Sequence, residues 1–300
     1  MAKGVGDIQA RLMLVVLCLI WGLTWPMMKI ALNEIPPLSM RTLTAGIGAL
    51  ALLLICLVGR RSLRIPTARA WAHVVVASIL NVVGFSLFSA FAQIAAATSR
   101  VTILTYTMPI WTLVLAWVVL RERPSPVQTI AIALCAIGLA VLIRPLAATG
   151  IPLGLLLAVG SGASWAAGTV YLNWARIQAD PVGLASWQIT IAFFVIAASM
   201  LIFEGKLDLG AAHTDALLAV GFTGVFGNAV AYAMWFAIVR RVPALTATLR
   251  IVGIPVIGVV STILILGERL TTADAIGFAF IFAASVCAQL PASAFRRATP

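Results

Sequence analysis

Long apolar runs separated by short polar segments account for almost the whole chain. A transmembrane helix needs about 20 predominantly apolar residues. The runs therefore predict ten transmembrane helices, over residues 12–32, 38–58, 72–93, 99–120, 126–143, 152–174, 183–203, 216–238, 244–266 and 272–290. The connections are too short to fold as a soluble domain, so we expect an all-α membrane protein. No small-residue cleavage site follows the first run, which is interpreted as a retained span and not as a signal peptide.

Composition supports this class and excludes a water-soluble one. The chain is 62% hydrophobic and 10% charged, with a mean hydropathy of +1.10, whereas a soluble domain carries roughly 25% charged residues. The net charge of +11 lies mostly in short loops, without the polar, aromatic-rich surface that would hold a nucleic acid. The four cysteines lie in apolar runs without metal-ligand spacing, so we expect no disulfide framework, no metal and no cofactor.

The distribution of basic residues predicts the orientation. If the N-terminus is cytoplasmic, thirteen basic residues fall on the cytoplasmic side and five on the other side. Those five are Arg41, Arg100, Arg144, Lys206 and Arg269. Because short cytoplasmic loops carry an excess of Lys and Arg, this distribution places both termini in the cytoplasm.

The second half of the chain repeats the first. At an offset of 146, residues 102–133 overlay residues 248–279. The informative identities in this overlay are Pro109/Pro255, Glu122/Glu268 and Arg123/Arg269, and Trp21 aligns with Trp165 at an offset of 144. We therefore predict a cytoplasmic N-terminus at residues 1–11, five-helix repeats at 12–145 and 152–290, and a cytoplasmic tail at 291–300.

Five spans in each repeat is an odd number, so the second copy enters the membrane from the opposite face. The Glu122 turn is then expected inside the cell and the Glu268 turn outside. Inverted repeats can exchange roles and so open a shared central site to each side in turn, which predicts a transporter. The alternative is that the duplication only built a larger helical bundle.

Three sets of residues are typical of a known family. They are Trp21-Gly22 followed by Lys29, Pro109 followed by Leu120 to Arg123, and Pro255 followed by Leu266 to Arg269. With these motifs the chain resembles the drug/metabolite transporter superfamily, in its ten-helix EamA-type branch, over essentially its whole length. In general appearance it is most similar to the bacterial aromatic amino-acid exporters. One departure is Ala166, which follows Trp165 where the first repeat has a glycine.

The resemblance implies a basket-like fold in the bacterial inner membrane and transport in the direction of export. A central cavity would be lined mainly by helices 1, 3, 4, 6, 8 and 9, with helices 5 and 10 at the periphery. The expected partners are the lipid bilayer and a small solute, and the protein would be a monomer or a homodimer.

Polar side chains within the predicted spans are candidates for the pathway, because polar atoms in hydrocarbon normally face other helices or water. Asn81 and Asn228 lie near mid-depth and could bind a substrate's amino or carboxylate group, or join two helices. Thr102 and Thr105 belong to a mildly polar stripe on one face of helix 4, and Ser164 precedes Trp165. Pro26, Pro109 and Pro255 each free a backbone carbonyl, which either permits a kink that helps gating or binds a polar group.

Aromatic residues indicate the substrate class. Nine lie on the expected cavity helices: Trp21, Trp25, Phe85, Phe88, Tyr106, Trp111, Trp165, Tyr232 and Trp235. A cavity lined by rings and a few amides suits an amphipathic solute with an apolar side chain. The alternative for each ring is packing against lipid or a neighbouring helix.

Apart from the arginines counted with the outer side, two basic residues are set within predicted spans, Lys29 and Arg250. Lys29 lies about one turn from the outer end, so its ammonium can reach outward to the interface. Arg250 lies deeper and is a candidate for attracting a substrate carboxylate, with extension to the cytoplasmic interface as the alternative.

The sequence thus predicts an exporter of amino acids with apolar or aromatic side chains. None of the nine acidic residues lies deep in a span, so we expect no coupling through an intramembrane carboxylate. Transport of a nucleoside, a drug or a sugar phosphate is the alternative substrate class. A channel would need a continuous polar lining, and an enzyme would need a deep nucleophile with its base; the predicted spans offer neither.

Overall fold

The computed structural model describes residues 2–144, 152–239 and 253–290, and in these ranges it contains ten helices and no strand. The helices are α1 (Ala2–Leu32), α2 (Pro37–Val58), α3 (Ala68–Ala95), α4 (Thr98–Leu120), α5 (Pro126–Ile143), α6 (Leu153–Ala175), α7 (Pro181–Phe203), α8 (214–239), α9 (Gly253–Leu266) and α10 (Thr272–Gln289). Over the described ranges, nine of these helices are long and apolar enough to cross a membrane. The structure confirms the all-α class, and the first part of the predicted ninth span lies outside the described residues.

The ends of α5 and α10 are built in the same way. Ser125 caps α5 and exchanges hydrogen bonds with Gln128, and Thr271 caps α10 and exchanges hydrogen bonds with Asp274. Such capping boxes satisfy backbone N–H groups that have no partner within the helix. Both pairs are related by the offset of 146, so the repeat extends from the sequence to the local structure.

Helices α3 and α8 each contain a wide π-helical segment in the middle. The segments are Ile79–Gly84 in α3 and Thr223–Val230 in α8, and they include Asn81 and Asn228. Short π segments insert an extra residue into a helix and occur frequently at functional sites. The two segments occupy equivalent positions in the repeats, near the centre of the molecule.

Helix α4 is interrupted where proline was expected to disturb it. Its first part ends at Thr105, and its second part begins at Met108, one residue before Pro109. The carbonyl of Tyr106, in the break, accepts a hydrogen bond of 3.0 Å from Ser285 Oγ of α10. Pro26 lies inside α1, which remains helical. Pro255 is buried near the start of the described part of α9.

The two repeats pack against each other through equivalent helices. Helix α2 packs on α7, α5 on α10, α1 on α8 and α9, and α6 on α3 and α4. Helices α5 and α10 approach closely at two glycines, since a Cβ added to Gly138 would lie 3.0 Å from the carbonyl oxygen of Gly277. Gly138 also faces Ile281, whereas Leu142, one turn further along α5, faces Gly277. Helices α5 and α10 are therefore antiparallel.

Candidate substrate pathway

Five aromatic side chains from both repeats form a continuous group between α1, α3, α6 and α8. We call Phe85, Trp165, Tyr232, Trp21 and Trp235 the ring cluster. The ring centroids are 5.1 Å apart for Phe85–Trp165, 6.3 Å for Trp165–Tyr232, 5.9 Å for Trp21–Tyr232 and 6.4 Å for Trp21–Trp235. All five side chains are half-buried. Aromatic pairs at such distances attract one another, and part of each ring surface stays uncovered.

A hydrogen bond fixes the orientation of Trp21 within the ring cluster. Trp21 Nε1 donates to the carbonyl oxygen of Gly227 in α8 at 3.1 Å. Close to this cluster, Trp25 and Tyr106 form a separate pair with centroids 6.5 Å apart, and Trp25 is only 4% exposed. The structure therefore brings seven of the nine predicted rings together in two neighbouring groups.

The two asparagines join helices. Asn81 Nδ2 donates to the carbonyl oxygen of Trp165 and to Thr169 Oγ1, each at 3.3 Å. Asn228 Nδ2 donates to the carbonyl oxygen of Thr44 in α2 at 3.0 Å. In this structure their amide N–H groups hold α3 to α6 and α8 to α2, beside the ring cluster.

The predicted hydroxyl groups also bond to the protein. Thr102 Oγ1 donates to the carbonyl oxygen of Thr98 at 2.8 Å, and Thr105 Oγ1 lies 2.8 Å from Ser161 Oγ. Both threonines are fully buried. Ser164 Oγ donates to the carbonyl oxygen of Leu80 at 2.5 Å. Thr105 thus connects α4 to α6 and Ser164 connects α6 to α3, whereas the Thr102 hydroxyl bonds within α4.

Two other candidates, Phe88 and Trp111, make no ring contact with the ring cluster. Phe88 is 40% exposed and lies beside Gly160 of α6. Trp111 is half-buried and makes no ring contact among the described residues. Arg250 falls outside the described residues.

The repeats are tied together at the end of the molecule where α1 ends and α2 begins, which we call the α1–α2 end. Glu268, in the turn between α9 and α10, accepts hydrogen bonds from the backbone N–H groups of Thr98 and Ser99 at 2.7 and 2.9 Å. Arg100 forms an ion pair of 2.7 Å with Asp274. The first turn of α4 is thus held by the second repeat.

Glu204 makes a similar link to the first turn of α2. Its carboxylate accepts hydrogen bonds from the backbone N–H groups of Leu38 and Ser39 and from Ser39 Oγ, at 2.7–2.8 Å. A carboxylate is stabilising at a helix N-terminus, where it satisfies N–H groups and interacts with the helix dipole. Glu204 and Glu268 thus each join the two repeats at the α1–α2 end.

Arg41, which the charge count placed on the non-cytoplasmic side, is buried inside a helix. Arg41 lies in the second turn of α2, is 5% exposed and donates through Nη2 to Ser89 Oγ at 2.7 Å. The position of Arg41 inside the predicted span 38–58 was the feature of the sequence that indicated its burial. Lys29 also differs from expectation, because its Nζ donates to the carbonyl oxygen of Gln93 at 2.9 Å and does not extend outward.

A cleft of about 310 Å³ opens at the opposite end of the molecule, between the start of α3 and the end of α6. Its lining includes Arg69, His73, Trp174 and Arg176. No residue of the ring cluster lines this cleft, so the cleft and the ring cluster are separate features of the described structure.

Ten apolar helices in two repeats, with a ring cluster between them, define a multi-pass membrane transporter. The sequence matches the EamA-like transporter family twice, over residues 9–144 and 152–288, and the chain belongs to this family. This confirms the resemblance that the tryptophan, proline and Glu-Arg motifs indicated.

Relatives of similar length are also described as transporters. The chain is 28% identical to the uncharacterized transporter YvbV of Bacillus subtilis, with 93% of this chain and 90% of the relative covered. It is 27% identical to the uncharacterized inner membrane transporter YedA of Escherichia coli K12, with 91% and 88% covered. It is 24% identical to a probable amino-acid metabolite efflux pump of Salmonella typhimurium, with 88% and 89% covered. A crystal structure with 21% identity has a TM-score of 0.65 and covers 93% of this chain and 96% of its own, which supports the fold.

Proposed function

We propose that this transporter exports amino acids with apolar or aromatic side chains across the bacterial inner membrane. The observation that carries the proposal is the ring cluster, in which both repeats supply half-buried aromatic faces to one central region. Such faces favour a planar or branched apolar side chain. The Salmonella relative, a probable amino-acid metabolite efflux pump, supports the same substrate class.

Alternating access between inverted repeats is the mechanism we propose. The antiparallel packing of α5 on α10 supports it, because equivalent helices run in opposite directions when the second repeat is inverted. The α2–α7 pair gives the same support, since Glu204 after α7 contacts the start of α2, and Asp180 at the start of α7 pairs with Arg61 after α2. With both termini cytoplasmic, the α1–α2 end faces outward. The contacts of Glu204 and Glu268 at this end support assigning the structure to a state closed to the outside.

We propose that the substrate moves down its own concentration gradient or is exchanged for another solute. Each of the nine acidic residues in the sequence lies at or beyond the end of a predicted span. A proton- or sodium-coupled carrier commonly has an intramembrane carboxylate or histidine. Transport that followed an imposed pH gradient with no substrate gradient would contradict this part of the proposal.

The proposal is tested by counterflow in proteoliposomes with labelled amino acids, nucleosides and sugar phosphates. We expect phenylalanine, tryptophan or methionine to be transported. Trp165→Ala should weaken the apparent affinity about tenfold, because an aromatic contact of 0.5–1.5 kcal/mol and the associated buried area are lost. Trp117→Ala is the matched control, since Trp117 is 50% exposed on α4. Transport of sugar phosphates alone, or equal effects of the two variants, would overturn the proposal.

A further inference from the structure

We infer that Arg41 and Gln93 form a binding site for the carboxylate and ammonium groups of a zwitterionic substrate, at the edge of the ring cluster. This inference rests on the proposed function and adds the residues that recognise the substrate's head group. It is carried by the unused hydrogen-bonding groups of two buried side chains on α2 and α3.

Arg41 is a buried cation without a carboxylate partner. Its side chain is 5% exposed, and its Nη2 donates to Ser89 Oγ at 2.7 Å. The buried Nε has no hydrogen-bond partner, and no acidic group among the described residues lies within ion-pair distance of the guanidinium. A guanidinium stays protonated and presents five N–H donors in a planar fork that matches a carboxylate. A buried charge left in this condition is costly unless an anion binds to it.

Glu204 does not fill this role. It caps Ser39, two residues before Arg41, but its oxygens accept from Leu38 N, Ser39 N and Ser39 Oγ. The guanidinium of Arg41 therefore remains available to an external carboxylate when the α1–α2 end opens.

Gln93 supplies the complementary acceptor. It lies on α3 one turn after Ser89 and is fully buried. Its Nε2 donates to the carbonyl oxygen of Trp25 at 3.5 Å, while its buried Oε1 has no partner among the described residues. A substrate ammonium is a donor of the kind that this oxygen lacks. Lys29 Nζ donates to the backbone carbonyl oxygen of Gln93 at 2.9 Å and so does not use the side-chain Oε1.

The head-group site is connected to the ring cluster through one turn of α3. Ser89, which holds Arg41, donates through Oγ to the carbonyl oxygen of Phe85 at 2.6 Å, and Phe85 packs on Trp165. One helical turn spans about 5.4 Å, which is comparable with the length of an aromatic amino acid from its carboxylate to its ring. A single substrate can therefore contact Arg41 with its carboxylate and the ring cluster with its side chain.

The test compares three solutes that share a phenyl ring: L-phenylalanine, phenylethylamine, which lacks the carboxylate, and 3-phenylpropionate, which lacks the ammonium. Binding to purified full-length protein is measured by ligand-induced thermal stabilisation. Wild type should bind L-phenylalanine at least tenfold more tightly than either analogue. Arg41→Gln should lose about tenfold for L-phenylalanine and 3-phenylpropionate and leave phenylethylamine unchanged. Gln93→Leu should weaken only the two solutes that carry an ammonium group.

Controls separate this inference from the proposed function and from a folding defect. Arg64→Gln, an exposed arginine at the opposite end, should change none of the three affinities. Unchanged phenylethylamine binding shows that Arg41→Gln is folded, and Arg41→Lys should recover part of the carboxylate affinity. The inference would be overturned if the wild type binds L-phenylalanine and Arg41→Gln weakens binding of all three solutes, or of none of them. Arg41-dependent binding of 3-phenylpropionate without any amino-acid binding would sustain the anion site and overturn the proposed substrate.

Discussion

Replacement of Glu268 by Gln tests whether one carboxylate closes the α1–α2 end. Its two oxygens accept the backbone N–H groups of Thr98 and Ser99 at 2.7 and 2.9 Å. These groups lie in the first turn of α4, where no partner exists within the helix. A glutamine keeps one acceptor oxygen, turns an NH2 group toward the other N–H and removes the negative charge.

The expected cost follows from these contacts. A hydrogen bond to a charged group contributes about 1.5–3 kcal/mol, and loss of a helix N-cap typically costs about 1 kcal/mol. We therefore expect Glu268→Gln to destabilise this state by about 1–2 kcal/mol, which corresponds to a decrease of about 2–5 °C in the apparent melting temperature in detergent. Glu268→Ala, which removes both acceptors, should lower it further.

The matched control is the repeat counterpart of Glu268. The side chain of Glu122 is exposed, and its carboxylate has no hydrogen-bond or ion-pair partner among the residues described. Glu122→Gln removes the same charge from the equivalent turn, and should change stability by no more than about 0.5 kcal/mol. Equal shifts for the two variants, or no shift for Glu268→Gln, would refute the assignment of Glu268 as the closing contact.

Two further perturbations test the packing and the loop electrostatics. Gly168→Ala would place a Cβ 2.5 Å from Asn81 Cβ and 2.7 Å from the backbone nitrogen of Asn81. It should therefore destabilise the protein by about 1–3 kcal/mol in thermal melts. The control is Gly221→Ala, whose added Cβ meets nothing within 4 Å and which should be neutral or slightly stabilising. Similar effects of the two variants would be inconsistent with close α3–α6 contact. A hydrogen bond from the backbone N–H of His213 holds the pKa of Glu34 below its ordinary value. The contribution of Glu34 to stability should therefore be complete above the ordinary glutamate pKa and be lost as the pH falls through the lowered pKa of the folded protein. Melting curves of Glu34→Gln should lack this component of the acid dependence.

Most of the fold could be predicted from the sequence because lipid imposes a simple rule on length and polarity. The predicted fifth span, 126–143, coincides with α5, and the predicted seventh, 183–203, differs from α7 by two residues at one end. Pro109 marked the break in α4 because a ring nitrogen cannot donate within a helix. These features depend on local sequence alone.

The arrangement of the candidate site depends on packing and was only partly predictable. The aromatic residues were identified, but periodicity did not show that Phe88 lies apart from Phe85 and Trp165. Arg41 was missed because its burial is set by α3, a helix distant in sequence, through Ser89. The role of Asn81 as a link to α6 likewise requires the three-dimensional contact.

The wide π-helical segments of α3 and α8 have a consequence for how the sequence of such a transporter can change in length. Each residue of an α-helix advances the side-chain direction by about 100°, and a π segment holds one residue more than the regular turn. Loss of a single residue within Ile79–Gly84 would restore a regular helix and leave Phe85 and Ser89 close to their present directions, because the wide segment accommodates the extra residue without turning the helix beyond it. Deletion of one codon at either of these two points is thus a genetic route to a locally altered helix that leaves the rest of the lining and the membrane topology intact.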